Sequence, residues 1–157
     1  MESFPITPAG HEKLKAQLHY LKTVERPKIS KEIGAARELG DLAENFEYHA
    51  AKDRQGLLEA QIRDLEDKLA RAQVIDPTTL SGNRVVFGAT VVLMDVETGE
   101  ERTYKIVGEC EADVENGLIS VKSPLARALI RREVGDEVQI PSKGGPRTVE
   151  IVDIKFI

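Results

Sequence analysis

Cysteine is almost absent from this 157-residue chain: Cys110 is the single one. One thiol can neither close an intrachain disulfide nor build a thiolate zinc site, which suits a reducing cytosol. Tryptophan is missing and aromatics make up 4% of residues, so the core must come from Leu, Ile, Val and Ala, a composition that suits long helices. There is no surplus of positive charge. The net charge is −5, and neither half is basic: residues 1–76 carry 12 Lys+Arg against 14 Asp+Glu, the remainder 10 against 13. A broad surface that neutralises duplex phosphates is thereby excluded, and any nucleic-acid contact has to be local or made through a partner. No apolar run is long enough to cross a bilayer. The start, Met1-Glu2-Ser3-Phe4-Pro5, lacks the basic opening and apolar stretch of a secretory signal. Cytoplasmic location, with no membrane partner, is the expectation. Internal repeats and low-complexity segments are also missing.

What is present has the balance of a soluble globular protein, 41% hydrophobic and 31% charged. It falls into two parts of different period. In the first, Thr7-Pro8 is a helix start: threonine caps, and proline has its φ preset for the first helical position. Leu14, Leu18 and Leu21 follow at helical spacing, and Ile29, Ile33 and Ala36 resume it. The register breaks between Leu21 and Ile29, with Pro27 inside the gap, which predicts a kink or stutter. Gly40 ends this helix, and a second is predicted from Leu42 to about Gln73. Its residues Leu58, Ile62, Leu65, Leu69 and Ala72 form a coiled-coil seam. Traced backwards, the seam runs through Gln55, Ala51, Tyr48 and Glu44, becoming polar toward Gly40. Two helices joined by a short turn fold antiparallel. With roughly 30 residues each at ~1.5 Å rise, the hairpin spans roughly 45 to 50 Å and ends in a polar tip.

The second part begins after Asp76-Pro77. Short β-type runs occur at 84–87, 89–94, 103–107, 118–121, 137–140 and 148–156, separated by turn signals such as Asn116-Gly117 and Lys143-Gly144-Gly145-Pro146. One short helix interrupts them, with Ser123 as cap, Pro124 in the first turn and a body over 125–132. The fold class is therefore α+β: an N-terminal long antiparallel coiled-coil hairpin over 1–76, and a mostly antiparallel sheet with one short helix over 77–157. Residues 77–83 form the linker.

Asp41 and Glu44 stand at the tip. Asp-x-x-Glu after glycine is a capping box, in which Asp41 accepts the Glu44 amide and Glu44 reaches back to the amide of Asp41. The same pair also offers Mg²⁺ two carboxylates. Two cannot make a complete cage, but they can finish a site that another protein supplies. A cap alone does not require a long arm.

The run Gly40-Asp41-Leu42-Ala43-Glu44-Asn45-Phe46-Glu47-Tyr48-His49-Ala50-Ala51-Lys52 resembles the tip signature of the bacterial Gre transcript-cleavage (transcription elongation) factors. Thr7-Pro8-x-Gly10, Ala72-Gln73-Val74-Ile75-Asp76, Val86-Phe87-Gly88-Ala89-Thr90-Val91 and Ile119-Ser120-Val121-x-Ser123-Pro124-Leu125-Ala126-Arg127 extend the likeness over essentially the whole chain, on the GreA side of the family. The resemblance implies an FKBP-like C-terminal domain that docks on the rim of the RNA polymerase secondary channel. It implies a hairpin that enters the channel, and tip acids Asp41 and Glu44 that hold the second Mg²⁺ jointly with polymerase and orient a water. Backtracked RNA is then cleaved by two-metal hydrolysis. The chain is accordingly expected to be no enzyme itself but a monomeric cofactor of polymerase.

By the same resemblance, Arg37 and Lys52 match basic positions that contact the nascent RNA 3′ end, and Lys122, Ser123 and Pro124 are docking candidates. Without it, Arg37, Lys52 and Arg54 read as a solvated face and Ser123 as a helix cap. Tyr48 continues the seam, and His49 reads as polar surface. Three rival functions stand beside this one. An inhibitor of the same channel is disfavoured by the intact acid pair. A prolyl isomerase or chaperone needs an aromatic-lined pocket, and residues 77–157 hold only Phe87, Tyr104 and Phe156. A free-standing nuclease needs more ligands than the tip offers.

Overall fold

Thr7 opens helix α1 (Pro8–Tyr20): its Oγ1 accepts the Gly10 amide at 3.2 Å, with Pro8 in the first turn. The computed structural model describes residues 2–157. The next five residues, Leu21–Glu25, form a π-helical turn before α2 (Arg26–Arg37). A π turn takes up an extra residue. That restores the seam after the long step from Leu21 to Ile29, and Ile29, Ile33 and Ala36 are all buried. The break expected around Pro27 takes this form.

Helix α3 (Phe46–Arg71) returns along α2. Ion pairs fix the direction: Lys22 meets Glu66, Arg26 meets Glu59 and Glu32 meets Arg54, so one number falls as the other rises and the helices are antiparallel. Between them Ile29, Ile33, Ala51, Leu58 and Ile62 form one apolar cluster, with Leu18, Leu21 and Tyr48 against it. Burying one large aliphatic side chain is worth roughly 1.5–3 kcal/mol. An exposed ion pair is worth about 0–1 kcal/mol. The apolar cluster therefore holds the hairpin together, and the ion pairs favour its register.

Three boundaries differ from the sequence expectation. Helix α2 ends at Arg37, three residues before Gly40, which sits at φ +138 inside the connection. Helix α3 begins at Phe46 instead of Leu42, and stops at Arg71 because Ala72 turns extended. Strand β2 (Ala72–Val74) then pairs with β1 (Phe4–Ile6).

Packing divides the chain into two units, His11–Ala72 and Glu2–Gly10 with Gln73–Ile157. The sequence division at 76/77 differs from this, since residues 2–10 group with the second unit. A long-range contact within that unit contributes: Glu111 accepts hydrogen bonds from the Thr7 amide (3.1 Å), the Thr7 hydroxyl and the Gly108 amide (2.7 Å). Gly10 leaves room for this carboxylate, since a Cβ there would lie 2.1 Å from Glu111 Oε1.

The second unit is built on a five-stranded sheet. Strands β3 (Thr90–Asp95), β4 (Glu101–Val107), β5 (Leu118–Ser120), β6 (Glu137–Ile140) and β7 (Arg147–Lys155) lie in the order β5-β4-β3-β7-β6. All neighbours are antiparallel except β4 with β5. Helix α4 (Pro124–Leu129) covers the sheet with Ala126 and Leu129, which join Val91, Leu93, Ile106, Ile119 and Ile151 in the core. The α+β class is as expected. Two elements are not. Residues 84–87 form no strand: Arg84 makes an isolated bridge to Glu133, and buried Val85 exchanges backbone bonds with Arg131 and Arg132. Helix α4 stops at Leu129, short of residue 132, because Arg131 adopts φ +76 to make that exchange. Among the described residues no helix is long and apolar enough to cross a membrane.

Candidate functional site

The connection between α2 and α3 carries the two acids. Helix α2 tightens at its end, with Glu38 and Leu39 amides bonding three residues back to Ala35 and Ala36 carbonyls. A turn then closes over residues 41–44, where the Glu44 amide donates to the Asp41 carbonyl at 3.2 Å. The side chain of Asp41 folds onto the same turn, and Oδ1 accepts the Ala43 amide at 3.1 Å. One carboxylate oxygen is thus oriented by backbone.

The expected capping box between Asp41 and Glu44 does not form. Asn45 caps α3 instead, its Oδ1 accepting the Tyr48 amide at 3.0 Å. Its Nδ2 donates to the Ala36 carbonyl, so one amide side chain joins the end of α2 to the start of α3. This tertiary bond decides the competition between two good capping residues, and it frees the carboxylate of Glu44 from the helix start. Asp41 and Glu44 are both exposed, and among the described residues neither belongs to an ion pair. Both line one shallow hollow with Leu39, Gly40, Asn45 and Phe46.

The other candidates lie around this turn or in the second unit. Arg37, at the end of α2, places its guanidinium 5.9 Å from the centre of the Tyr48 ring, and Tyr48 meets His49 edge-on at 5.6 Å. Tyr48 is half-buried against the seam, as its spacing implied. Lys52 is exposed on α3 and donates to Gln55 Oε1 at 3.0 Å. Arg54 is committed to Glu32 at 2.9 Å. In the second unit Lys122 pairs with Glu109 at 3.2 Å on the surface, and Ser123 accepts the Ala126 amide at 3.2 Å ahead of Pro124. Sequence reasoning missed Asn45. Its signal was an Asn-x-x-Tyr start with Glu47 in the first turn, masked by the better-known Asp-x-x-Glu pattern just upstream.

Two family models match. One, described as "Transcription elongation factor, N-terminal", covers residues 4–74; the other, described as "Transcription elongation factor, GreA/GreB, C-term", covers residues 80–156. The chain is 55% identical over 157 residues to a transcription elongation factor GreA of Jannaschia sp. (strain CCS1), with all of both chains covered. It is 56% identical over 153 residues to a GreA of Francisella philomiragia, covering 97% of this chain and 96% of that one. Among solved structures it is similar to the GreA factor homolog 1 (Gfh1) protein of Thermus thermophilus, at 31% identity and a TM-score of 0.44 over 98% of this chain and 99% of that one.

Proposed function

Because the chain belongs to the GreA/GreB family of transcription elongation factors, we propose that it acts inside RNA polymerase, entering the secondary channel with its hairpin and stimulating cleavage of backtracked nascent RNA. The observation that carries this reading is the turn itself: two exposed carboxylates without a basic partner, set side by side where α2 passes into α3. An isolated helix cap would use at least one of them, and Asn45 has taken that role.

The donor set fits a shared Mg²⁺. Oxygen ligands suit the ion, which takes one or two carboxylates and keeps several waters. Two carboxylates fill only part of the ion's shell, and in this reading polymerase supplies the remaining ligands. Bound there, the metal supplies Lewis-acid stabilisation of phosphodiester charge and a more acidic water. This chain's residues supply the rest. Asp41, fixed by the Ala43 amide, presents its second oxygen in a set direction. Glu44, on the same turn, adds the second negative group and orients the attacking water. Arg37 and Lys52 neutralise phosphates of the extruded 3′ end. Lys122, Ser123 and Pro124 dock the second unit on the channel rim, one copy per polymerase. The cut is made by the polymerase, with this chain as its cofactor in the cytoplasm.

Transcript-cleavage assays on stalled, backtracked complexes test the reading. Asp41→Ala and Glu44→Ala are expected to abolish stimulation with little loss of polymerase binding. Unchanged cleavage in both variants refutes the metal role. Cleavage suppressed by the parent chain makes it a channel inhibitor instead.

A further inference from the structure

We propose that Phe46 is a stacking platform for a nucleobase of the extruded RNA, seating the base beside the phosphodiester that Asp41 and Glu44 address; this deepens the reading above and rests on it. Phe46 is 88% exposed, more than any other large apolar side chain among the described residues. It is the first residue of α3, and its backbone is held by Asn45 bridging to Ala36. The nearby ring contacts belong to Tyr48, which faces His49 and receives Arg37, so they leave the Phe46 ring open to solvent. The helix has no need of it: alanine is the better helix former by about half a kcal/mol. An aromatic ring held out in water at an anchored helix start is what base stacking uses, and stacking tolerates any base because each has a π-face.

Charge selects which part of the RNA fits. Phe46 shares its hollow with Leu39, Asp41, Glu44 and Glu47, and no cation lines it. A phosphate is repelled there, whereas an uncharged aromatic base is not. A cationic side chain of polymerase also suits an aromatic face, but it would compete with Mg²⁺ for the same carboxylates. The base is covalently joined to the phosphodiester under attack, so seating the base on Phe46 brings that phosphodiester to the rim of the hollow, where a Mg²⁺ held by Asp41 and Glu44 would offset the repulsion.

The test uses the full chain at saturating concentration on backtracked polymerase complexes, with extruded nucleotides either normal or abasic. Phe46→Ala should lower the cleavage rate about 10-fold, equivalent to ~1.4 kcal/mol, and Phe46→Trp should restore it. On abasic RNA the parent should fall to the Phe46→Ala rate. Melting of Phe46→Ala should match the parent, because the ring is exposed. The proposal is overturned if Phe46→Ala equals the parent on normal RNA. It is equally overturned if its deficit persists on abasic RNA, or if the loss is one of polymerase affinity alone. Asp41→Ala run in parallel reports only on the metal reading: full activity there sinks that reading whatever Phe46 does.

Discussion

Replacing Gly10 by alanine should destabilise the second unit, although alanine is the better helix residue. An added Cβ would lie 2.1 Å from Glu111 Oε1, 2.3 Å from Cδ and 2.5 Å from Cγ. The glutamate is flexible and can swing away, but it then abandons the Thr7 amide, the Thr7 hydroxyl and the Gly108 amide. Thr7 is only 3% exposed, so water replaces these bonds poorly. Hydrogen bonds to charged acceptors are worth about 1.5–3 kcal/mol each, and partial rehydration lowers the total loss to about 2–4 kcal/mol. The gain in helix propensity returns up to ~1 kcal/mol, leaving Gly10→Ala about 1–3 kcal/mol less stable. Glu111→Ala loses the same bonds without the helix gain. In the Glu111→Ala background, however, the Gly10→Ala change meets no carboxylate and should stabilise by up to ~1 kcal/mol. Urea unfolding of the four proteins, followed at Tyr104, the single tyrosine of the second unit, measures this. A Gly10→Ala effect of the same sign in both backgrounds refutes the clamp.

Asn45→Ala removes the cap of α3 and should cost about 1–2 kcal/mol locally, read as faster hydrogen exchange at the Tyr48 amide; unchanged exchange counts against the cap. Ile62→Ala opens a cavity in the hairpin at a residue 1% exposed and should cost about 2–5 kcal/mol in thermal unfolding, and a loss below ~1 kcal/mol would contradict the apolar cluster as the source of stability. Asp95 is held below its ordinary carboxylate value by the Glu97 and Thr98 amides and then by Arg147. A depressed folded value means its stabilisation is complete above about pH 3.9 and lost as pH falls through the lower folded value. Asp95→Asn should therefore flatten the acid limb of the second unit's stability profile, and an unaltered limb refutes the assignment.

Periodic features were legible in the amino-acid order. Leu58, Ile62 and Leu65 are buried where the helical spacing placed them, because a seam repeats its own evidence over many turns. Asn116-Gly117 marked a turn, and Gly117 takes φ +76 with a Cβ position only 2.9 Å from the Thr103 carbonyl. Features settled by a single distant bond were not legible. Val85 and Val86 look like strand residues, yet the bonds of Val85 to Arg131 and Arg132 make the segment a loop that buries Val85 and leaves Val86 exposed. Asp41 and Asn45 are both good capping residues, and the Ala36 carbonyl chose between them. The Glu111 clamp joins positions 104 residues apart, which no local pattern reports. Around the candidate site, the exposed turn on which Asp41 and Glu44 lie was foreseen, whereas the bare ring of Phe46 was visible only once the side chains had places.

The π-helical turn at Leu21–Glu25 also sets an azimuth. Each residue of an α-helix advances the chain by about 100°, so a one-residue deletion in α2 beyond this turn would swing the acidic loop about a quarter of the way round the hairpin axis. The same deletion within Leu21–Glu25 would merely convert the wide turn to an ordinary one and leave the loop's bearing intact. Length variation in the first arm is thus tolerable at one place, where the geometry already holds a spare residue.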